Sequence, residues 1–239
     1  MALLTGTALV QTRDLTLHFG GLRAVDGVDF ALHPGEIHAL IGPNGAGKTT
    51  FVSLLSGRLL PQSGSITLAG EDITRLPAHE RVRKGIAYTF QITSIFPRLS
   101  VFDNVALAVQ SRAARDLSLH TRAALAQVGL ADLEAQEAQT LSYGHQRLLE
   151  LAMGLALQPR VLILDEPTQG LAASEIEGFK RLVQSLVPAT TVLLIEHNME
   201  VVMDLATRIT VLNFGRVLAT GTPAEIRANP AVQEAYLGA

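Results

Sequence analysis

Residues Gly42–Thr49 have the types and the spacing of a phosphate-binding loop. Two glycines separated by four residues precede Lys48 and Thr49, and they let successive backbone N–H groups turn inward as an anion-binding nest at a helix N-terminus. Lys48 can then reach the outer phosphates of a nucleotide, and the Thr49 hydroxyl can bind a Mg²⁺ that bridges them. The loop therefore predicts a nucleoside triphosphate site. Contacts to the nucleotide are expected from Gly42, Pro43, Asn44, Gly45, Ala46, Gly47, Lys48, Thr49 and Thr50.

Two acidic residues, Asp165 and Glu166, directly follow the apolar run Val161–Leu164. A strand that is apolar on both faces belongs in a parallel sheet, and such sheets bind ligands at the carboxyl ends of their strands. Asp165 suits the outer shell of Mg²⁺, and Glu166 suits the orientation and deprotonation of a water aimed at the γ-phosphate. Two acids after a strand more often cap a helix; the phosphate loop on a neighbouring strand favours the catalytic interpretation.

Two more polar side chains end predicted strands. Gln91 follows Ile86–Phe90, and His197 follows Thr191–Ile195 after one intervening residue. His197 can hydrogen-bond the γ-phosphate or hold the water, and the amide of Gln91 can contact both the metal and the water. A lone histidine is usually structural, so these positions carry weight only together.

The elements that hold these residues follow from the hydrophobic pattern. Ile37–Ile41 is a buried strand before the loop, and Thr50–Leu55 is a helix after it. Alternating apolar residues across 15–32 predict an antiparallel layer, whereas Ile92–Leu157 is helical, with Ser100, Ser142 and Thr222 among the predicted helix caps of the chain. The predicted fold is α/β: a P-loop NTPase core with a mainly parallel sheet, an N-terminal antiparallel β subdomain and an α-helical subdomain inserted at about 92–158, within one domain spanning 1–239.

Composition narrows the functional classes. The 239 residues carry a net charge of −3, so there is no basic footprint for nucleic acid, and the absence of cysteine excludes disulfides and thiolate ligands within the chain. No apolar run approaches the roughly 18 residues of a membrane span, and the N-terminus lacks the cationic start of a signal peptide. We expect a soluble, cytoplasmic chain. Charged residues make up only 17%, which fits either a well-filled core or a surface covered by partners.

The joint pattern of Gln91, the run Leu141–Gln146, Asp165-Glu166 and His197 resembles that of the ATP-binding-cassette (ABC) ATPases, and the resemblance spans essentially the whole chain. It implies ATP and Mg²⁺ as ligands, ATP hydrolysis, and metal contacts from Thr49, Gln91 and Asp165. The catalytic residues implied are Glu166, His197 and Gln91.

In that family, the Leu-Ser-x-Gly-x run caps a helix whose N-terminus faces the γ-phosphate held by a second subunit, either another copy or a related cassette. The resemblance therefore implies nucleotide contacts from Ser142, Tyr143, Gly144 and His145. Phe19 matches the aromatic residue that stacks on adenine, although a core residue at a strand end explains it equally well.

Two positions depart from the family pattern. Tyr143 and His145 stand where the signature usually has Gly and Gln, and Ala172 stands where many members have an Asp that couples the two sites. The first change leaves Ser142 and Gly144 in place. The second leaves the coupling between the sites open.

Within the family, the chain is most similar to the ATPase subunits of branched-chain (hydrophobic) amino-acid importers. The similarity rests on Phe19–Val25, Tyr88–Gln91, Leu194–Met199 and the ending Gly221–Ile226 with Tyr236-Leu237-Gly238. It implies docking of integral membrane permease subunits near Gln91 and Ile95–Val101, a peripheral location on the inner face of the membrane, and an indirect link to a solute-binding protein.

Other functions remain open at this point. The segments Ile73–Pro77 and Ser94–Val101 also resemble the lipopolysaccharide-export ATPase, so both import and export are compatible with the sequence. A soluble cassette ATPase of iron–sulfur cluster assembly is a further alternative. Tandem-cassette translation or DNA-repair ATPases are disfavoured by the single cassette and the acidic charge. The transported solute is not encoded here, because the ATPase does not touch it.

Overall fold

Alternating apolar and polar residues form an antiparallel sheet in the first part of the chain. The computed structural model describes residues 7–89, 94–112 and 115–237. The four strands of this sheet are β1 (Val10–Phe19), β2 (Leu22–Leu32), β4 (Ser63–Leu68) and β5 (Glu71–Asp72), in the order β2-β1-β4-β5. All three pairings are antiparallel, so the predicted antiparallel layer is confirmed.

In the described part of the chain, six strands form the core sheet: β3 (Ile37–Ile41), β6 (Ile86–Thr89), β7 (Val161–Asp165), β8 (Thr191–Ile195), β9 (Arg208–Asn213) and β10 (Arg216–Gly221). Their order is β10-β9-β3-β8-β7-β6, and every pairing is parallel except that of the edge strand β10. Strands β3, β7 and β8 are buried at every residue, as their largely apolar sequences predict.

The helices are α1 (Lys48–Leu55), α2 (Ala78–Arg83), α3 (Val101–Gln110), α4 (Leu117–Gln127), α5 (Tyr143–Ala156), α6 (Ala173–Leu186), α7 (Met199–Leu205), α8 (Pro223–Ala228) and α9 (Pro230–Leu237). Three predicted caps are confirmed: the hydroxyls of Ser100, Ser142 and Thr222 accept hydrogen bonds from backbone N–H groups in the first turns of α3, α5 and α8. Among the described residues, no helix has both the length and the apolarity needed to cross a membrane.

The two faces of the core sheet pack against different layers. Ile163 of β7 joins a cluster with Leu15 of β1 and Phe51 of α1, whereas its neighbour Leu162 joins a cluster with Leu149 of α5 and other residues of α3–α6. This alternation follows from the two-residue period of a strand. The parallel core sheet, the antiparallel layer and the helical layer together give the predicted α/β fold class.

Several predicted boundaries are wrong. The sequence predicts Pro77 as the first residue of a helix, because proline is favoured there, but Pro77 is the N-cap of α2. The pattern predicts a helix from Ser100 through about Ala114, whereas α3 stops at Gln110, where the Ser111 N–H closes the last turn. Ala114 itself lies outside the described residues. The sequence pattern does not predict helices α7 and α9, because they are too short for a periodic signal. They begin at turns capped by Asn198 and Asn229.

The predicted docking stretch Ile95–Val101 also needs correction at its end. Val101 is fully buried, because the first turn of α3 faces the helical core, and Ile95 packs partly against the same cluster. Phe96 and Leu99 are exposed. Gln91, the other part of the docking prediction, lies outside the described residues.

Candidate functional site

The loop between β3 and α1 is closed too tightly for side chains at two of its glycines. A Cβ atom at Gly42 would lie 2.2 Å from the carbonyl oxygen of Leu212, and one at Gly47 would lie 2.1 Å from that of Ala24. Gly47 is also the N-cap of α1, with φ of 100° in the left-handed region. These contacts fix the loop at the N-terminus of a buried helix, the geometry that binds an anion.

The Lys48 side chain is buried and folds back over this loop. Its Nζ donates hydrogen bonds to the carbonyl oxygens of Gly42 (2.6 Å) and Pro43 (2.9 Å). Burial lowers the pKa of Lys48, and the nearby carboxylates of Glu166 and Asp165 partly oppose this effect. The cation therefore lies beside both acids at the carboxyl end of β7.

Glu166 and His197 meet at the carboxyl ends of the neighbouring strands β7 and β8. Oε1 of Glu166 lies 2.8 Å from Nε2 of His197, and the Glu166 N–H donates to the carbonyl oxygen of Ile195 (2.9 Å). Glu166 has φ of 48°, a left-handed conformation that is unfavourable for a residue with a Cβ and is kept where the surroundings fix it. The acid is thus held in one direction, toward the histidine.

Asp165, the last residue of β7, is buried and receives a hydrogen bond of 2.6 Å from the Tyr88 hydroxyl on β6. Burial raises the pKa of Asp165, and the Tyr88 hydrogen bond acts in the opposite direction. Burial and the same hydrogen bond raise the pKa of Tyr88. Tyr88 is therefore a neutral donor that orients a buried carboxylate.

A cavity of about 280 Å³ joins these parts. Its lining comes from the phosphate loop, the start of α1, two residues of β2 and the ends of β7 and β8: Asn44–Thr50, Leu22, Ala24, Glu166, Ile195 and His197. One space thus contains a loop that can hold phosphates and an acid–histidine pair that can act on a water beside them.

The other predicted nucleotide contacts lie away from this cavity. Phe19 ends β1 with 51% of its surface exposed, and it pairs with the cavity residue Leu22. Ser142 caps α5, with its Oγ 3.3 Å from the His145 nitrogen. The run Ser142–His145 does not line the space between the phosphate loop and Glu166.

Tyr143 and Gly144 contact the segment that follows Glu166 in the chain. A Cβ atom at Gly170 would lie 2.9 Å from the Tyr143 ring, and one at Gly144 would lie 2.2 Å from Oε1 of Glu175. Ala172 is the N-cap of α6, and its N–H donates to Oε2 of Glu175 (2.8 Å). The tyrosine that departs from the family pattern is therefore packed against the segment that lacks the usual Asp.

The oxygen donors of Thr49 in the cavity and of Asp165 at the adjoining end of β7 fit a magnesium ion, although no group of three or more His, Asp or Glu side chains suited to a metal occurs among the described residues. The Thr49 hydroxyl and the Asp165 carboxylate are oxygen donors of the kind that Mg²⁺ prefers, and phosphate oxygens usually supply other ligands. Burial and the neighbouring Glu166 charge raise the pKa of Asp165, against the effects of Tyr88, His197 and Lys48, and a bound cation would favour the charged carboxylate. Gln91, the third predicted ligand, lies outside the described part of the chain.

Neither Tyr88 nor Glu196 is among the functional residues that the sequence predicts. Tyr88 lies on the strand beside β7, one position before its carboxyl end, and that position was the available signal. Glu196 directly precedes His197 and is buried although charged, which the sequence did not reveal.

Comparisons with known proteins agree with this geometry. Residues 25–169 match the family model described as ABC transporter, which covers more than half of the chain. The chain belongs to the ABC transporter family. Residues 216–239 of this ABC ATPase also match a model described as branched-chain amino acid ATP-binding cassette transporter.

Two relatives of this ABC ATPase align over nearly the whole chain. The high-affinity branched-chain amino acid transport ATP-binding protein BraF of Pseudomonas aeruginosa is 39% identical over 96% of this chain and 98% of BraF. The lipopolysaccharide export system ATP-binding protein LptB of Escherichia coli K12 is 35% identical over 97% of this chain and 98% of LptB.

A solved structure supports the fold. The ADP conformation of MJ1267, an ATP-binding cassette of an ABC transporter, superimposes with a TM-score of 0.87 at 25% identity, over 98% of this chain and all of MJ1267. The predictions of an ABC ATPase and of its fold class are therefore confirmed.

Proposed function

We propose that this ABC ATPase powers an importer of branched-chain amino acids or a related small solute. The likeness to BraF and the C-terminal match at residues 216–239 support this substrate class. Lipopolysaccharide export is the second candidate, supported by the somewhat lower identity to LptB.

The observation that carries the proposed chemistry is the shared cavity of the phosphate loop, Glu166 and His197. ATP places its phosphates on the loop N–H groups, and Lys48 turns from the loop carbonyls toward the negative charge. Glu166 takes a proton from a water that attacks the γ-phosphorus, and His197 holds that water or the γ-phosphate in line. The bond to the β-phosphate oxygen breaks, which leaves ADP and phosphate.

Mg²⁺ neutralises charge on the β- and γ-phosphates when it is bound. Thr49 and Asp165 are the proposed protein ligands, with Gln91 as a third. Tyr88 holds the Asp165 carboxylate in its orientation through the 2.6 Å hydrogen bond.

A second ATPase subunit is proposed to complete the site. The N-terminus of α5, with Ser142 and Gly144, carries the partial positive charge of a helix end and lies outside the cavity of its own chain. It is therefore available to the γ-phosphate of a partner, together with Tyr143 and His145. Phe19, exposed at the end of β1, is proposed to stack on adenine.

The permease subunits are proposed to dock on the loop before α3, which attaches the ATPase to the inner face of the membrane. Phe96 is 52% exposed, and its N–H donates to Oδ1 of Asn104 (2.7 Å) while its carbonyl oxygen accepts from Nδ2 of the same side chain (3.1 Å). Asn104 is fully buried, so the loop is held in place while an aromatic ring points to solvent. An exposed apolar group on a fixed loop is typical of a partner site.

Reconstitution tests the proposal. The ATPase is placed in proteoliposomes with the permease subunits, second cassette and solute-binding protein of the proposed importer, and uptake of labelled leucine is measured with and without ATP. We expect ATP-dependent uptake that the Lys48→Ala variant lacks. ATP-dependent release of lipopolysaccharide without uptake would support the export alternative instead.

A further inference from the structure

Glu196 is a charged residue buried at the end of β8, with only 4% of its surface exposed. Its Oε1 accepts hydrogen bonds from the N–H of Thr168 (3.0 Å) and from the Thr168 hydroxyl. Its Oε2 accepts hydrogen bonds from the N–H groups of His197 (2.8 Å) and Asn198 (3.1 Å). One carboxylate therefore holds four donors from two loops.

These two loops carry the acid and the histidine of the ATPase site. Thr168 lies two residues after Glu166, and His197 directly follows Glu196. A second tie joins the same loops, because the Glu166 N–H donates to the carbonyl oxygen of Ile195 (2.9 Å). Two sets of hydrogen bonds between the loops thus hold the backbones that carry the 2.8 Å contact between the Glu166 and His197 side chains.

An ionised carboxylate is the side chain that this position requires. It is acceptor-only and has about four lone-pair sites, which match the four donors. A glutamine amide would present N–H groups to one pair of these donors, so that one loop would be pushed away. Nδ1 and Nε2 of His197 are not among the partners of Glu196, so this carboxylate acts on the histidine through its backbone.

We propose that Glu196 is a positioning residue that sets the separation of Glu166 and His197, an inference that rests on the proposed roles of those two residues. Glu196 does not line the nucleotide cavity. Its loss therefore slows the chemical step and leaves nucleotide affinity nearly unchanged. Thr168 is the matching partner on the opposite loop.

The test measures ATP turnover and nucleotide affinity for four variants with the second subunit present. Glu196→Gln is expected to lower kcat by about 10- to 100-fold, the usual effect of a displaced catalytic group, with KM and the Kd of ATP changed by less than about threefold. Thr168→Val is expected to lower kcat less, because the backbone hydrogen bond remains, and Thr168→Ser to restore it. Glu200→Gln removes the same charge from an exposed position in the first turn of α7 and is the matched control.

Two further readings separate positioning from folding. Thermal unfolding is measured for each variant, and the imidazole NMR signals of His197, assigned with His197→Gln, should move in Glu196→Gln but not in Glu200→Gln. If Glu196→Gln does not fold, the Thr168→Val and Thr168→Ser pair decides the question, and equal kcat in this pair overturns the proposal. Normal kcat in Glu196→Gln overturns it as well, as does a loss of affinity equal to the loss of kcat.

The Glu166→Gln variant in the same assay distinguishes failure of the positioning role of Glu196 from failure of the proposed ATPase function. If Glu166→Gln loses turnover and Glu196→Gln does not, only the positioning role fails. If Glu166→Gln keeps normal turnover, the proposed function of the site fails first.

Discussion

Oε1 of Glu166 and Nε2 of His197 lie 2.8 Å apart at the carboxyl ends of two neighbouring parallel strands. The carboxylate is the more sheltered partner, with 16% of its side chain exposed against 44% for the imidazole. The less exposed carboxylate can take a proton from a water, while the more exposed histidine can hold the γ-phosphate. This relationship gives the two residues different expected effects.

The Glu166→Gln variant should lower ATP hydrolysis by about 10²–10⁴, which is the usual effect of losing a general base. That corresponds to about 3–5 kcal/mol of activation free energy. ATP binding should survive, because the amide keeps the shape and removes a negative charge from beside Lys48. Steady-state turnover and calorimetric ATP binding measure the two effects, and Glu177→Gln on the exposed side of α6 is the control. Undiminished turnover would move the base elsewhere, with His197 as the next candidate.

A dimer should accumulate when ATP binds but is not hydrolysed. Each chain has one phosphate loop, and its Ser142/Gly144 helix end lies outside its own cavity, so the two parts can meet only between subunits. Size-exclusion chromatography of Glu166→Gln with ATP should show a dimer, formed either by two copies or with the second cassette. Adding Lys48→Ala to the same variant should abolish it. A persistent monomer with ATP and the second cassette present contradicts the shared site.

Packing of Tyr143 on Gly170 should appear as coupling between two substitutions. Gly170 has φ of 80°, and a Cβ there would lie 2.9 Å from the ring, so Gly170→Ala suffers both backbone strain and a clash. We expect Gly170→Ala to lower the free energy of unfolding by about 1–3 kcal/mol. Tyr143→Gly should remove the clash but not the backbone strain. The double variant should therefore lose less free energy of unfolding than the two single variants lose together. Additive free energies of chemical denaturation would show that the ring does not press on this segment.

The Phe96→Asp variant should break assembly with the permease and abolish transport. The ring is exposed on a loop held by Asn104, so a charge at this position should change the folding stability of the isolated subunit little. The same charge opposes burial against a partner. ATP binding by the isolated subunit should stay near normal. Co-purification with the permease and ATP binding are the two measurements, and Leu119→Asp, at another exposed apolar position, is the control. Unfolding of Phe96→Asp, or normal assembly and transport, would refute docking at this loop.

Stability should fall as the pH drops below the ordinary histidine pKa of 6.5, in part because of His38. His38 is fully buried between Glu36 (3.1 Å) and the Thr210 hydroxyl (2.8 Å), with Arg208 and His33 nearby. Burial lowers the pKa of His38, against the opposing effect of Glu36. Below pH 6.5 the unfolded chain therefore takes up a proton that the folded chain binds less well, and unfolding becomes easier.

Replacing this residue should flatten that dependence. His38→Gln should be less stable than the wild type at pH 8, because a buried polar contact is disturbed, but should lose less stability between pH 7 and pH 5.5. Urea denaturation at several pH values measures the slopes, whose upper limit is about 1.4 kcal/mol per pH unit for one proton. The exposed His79→Gln serves as control. Parallel slopes for His38→Gln and the wild type would show that other groups cause the acid sensitivity.

The sequence by itself placed the candidate chemical groups at the ends of the strands. The spacing of Gly42, Gly47 and Lys48 can be read locally, because a phosphate loop is built from consecutive residues between one strand and one helix. Asp165 and Glu166 could be placed for the same reason: a uniformly apolar run indicates a buried parallel strand, and the residues that follow it must emerge at its carboxyl end.

Only the tertiary structure decided which of these ends meet. In the sheet order, β7 lies between β8 and β6. This order brings His197 of the β8 end to Glu166 and Tyr88 of β6 to Asp165. The four-donor role of Glu196 depends on the same neighbours. These contacts join residues far apart in the chain, and no local periodicity encodes them, because a strand's hydrophobic pattern specifies that it is buried but not beside which strand.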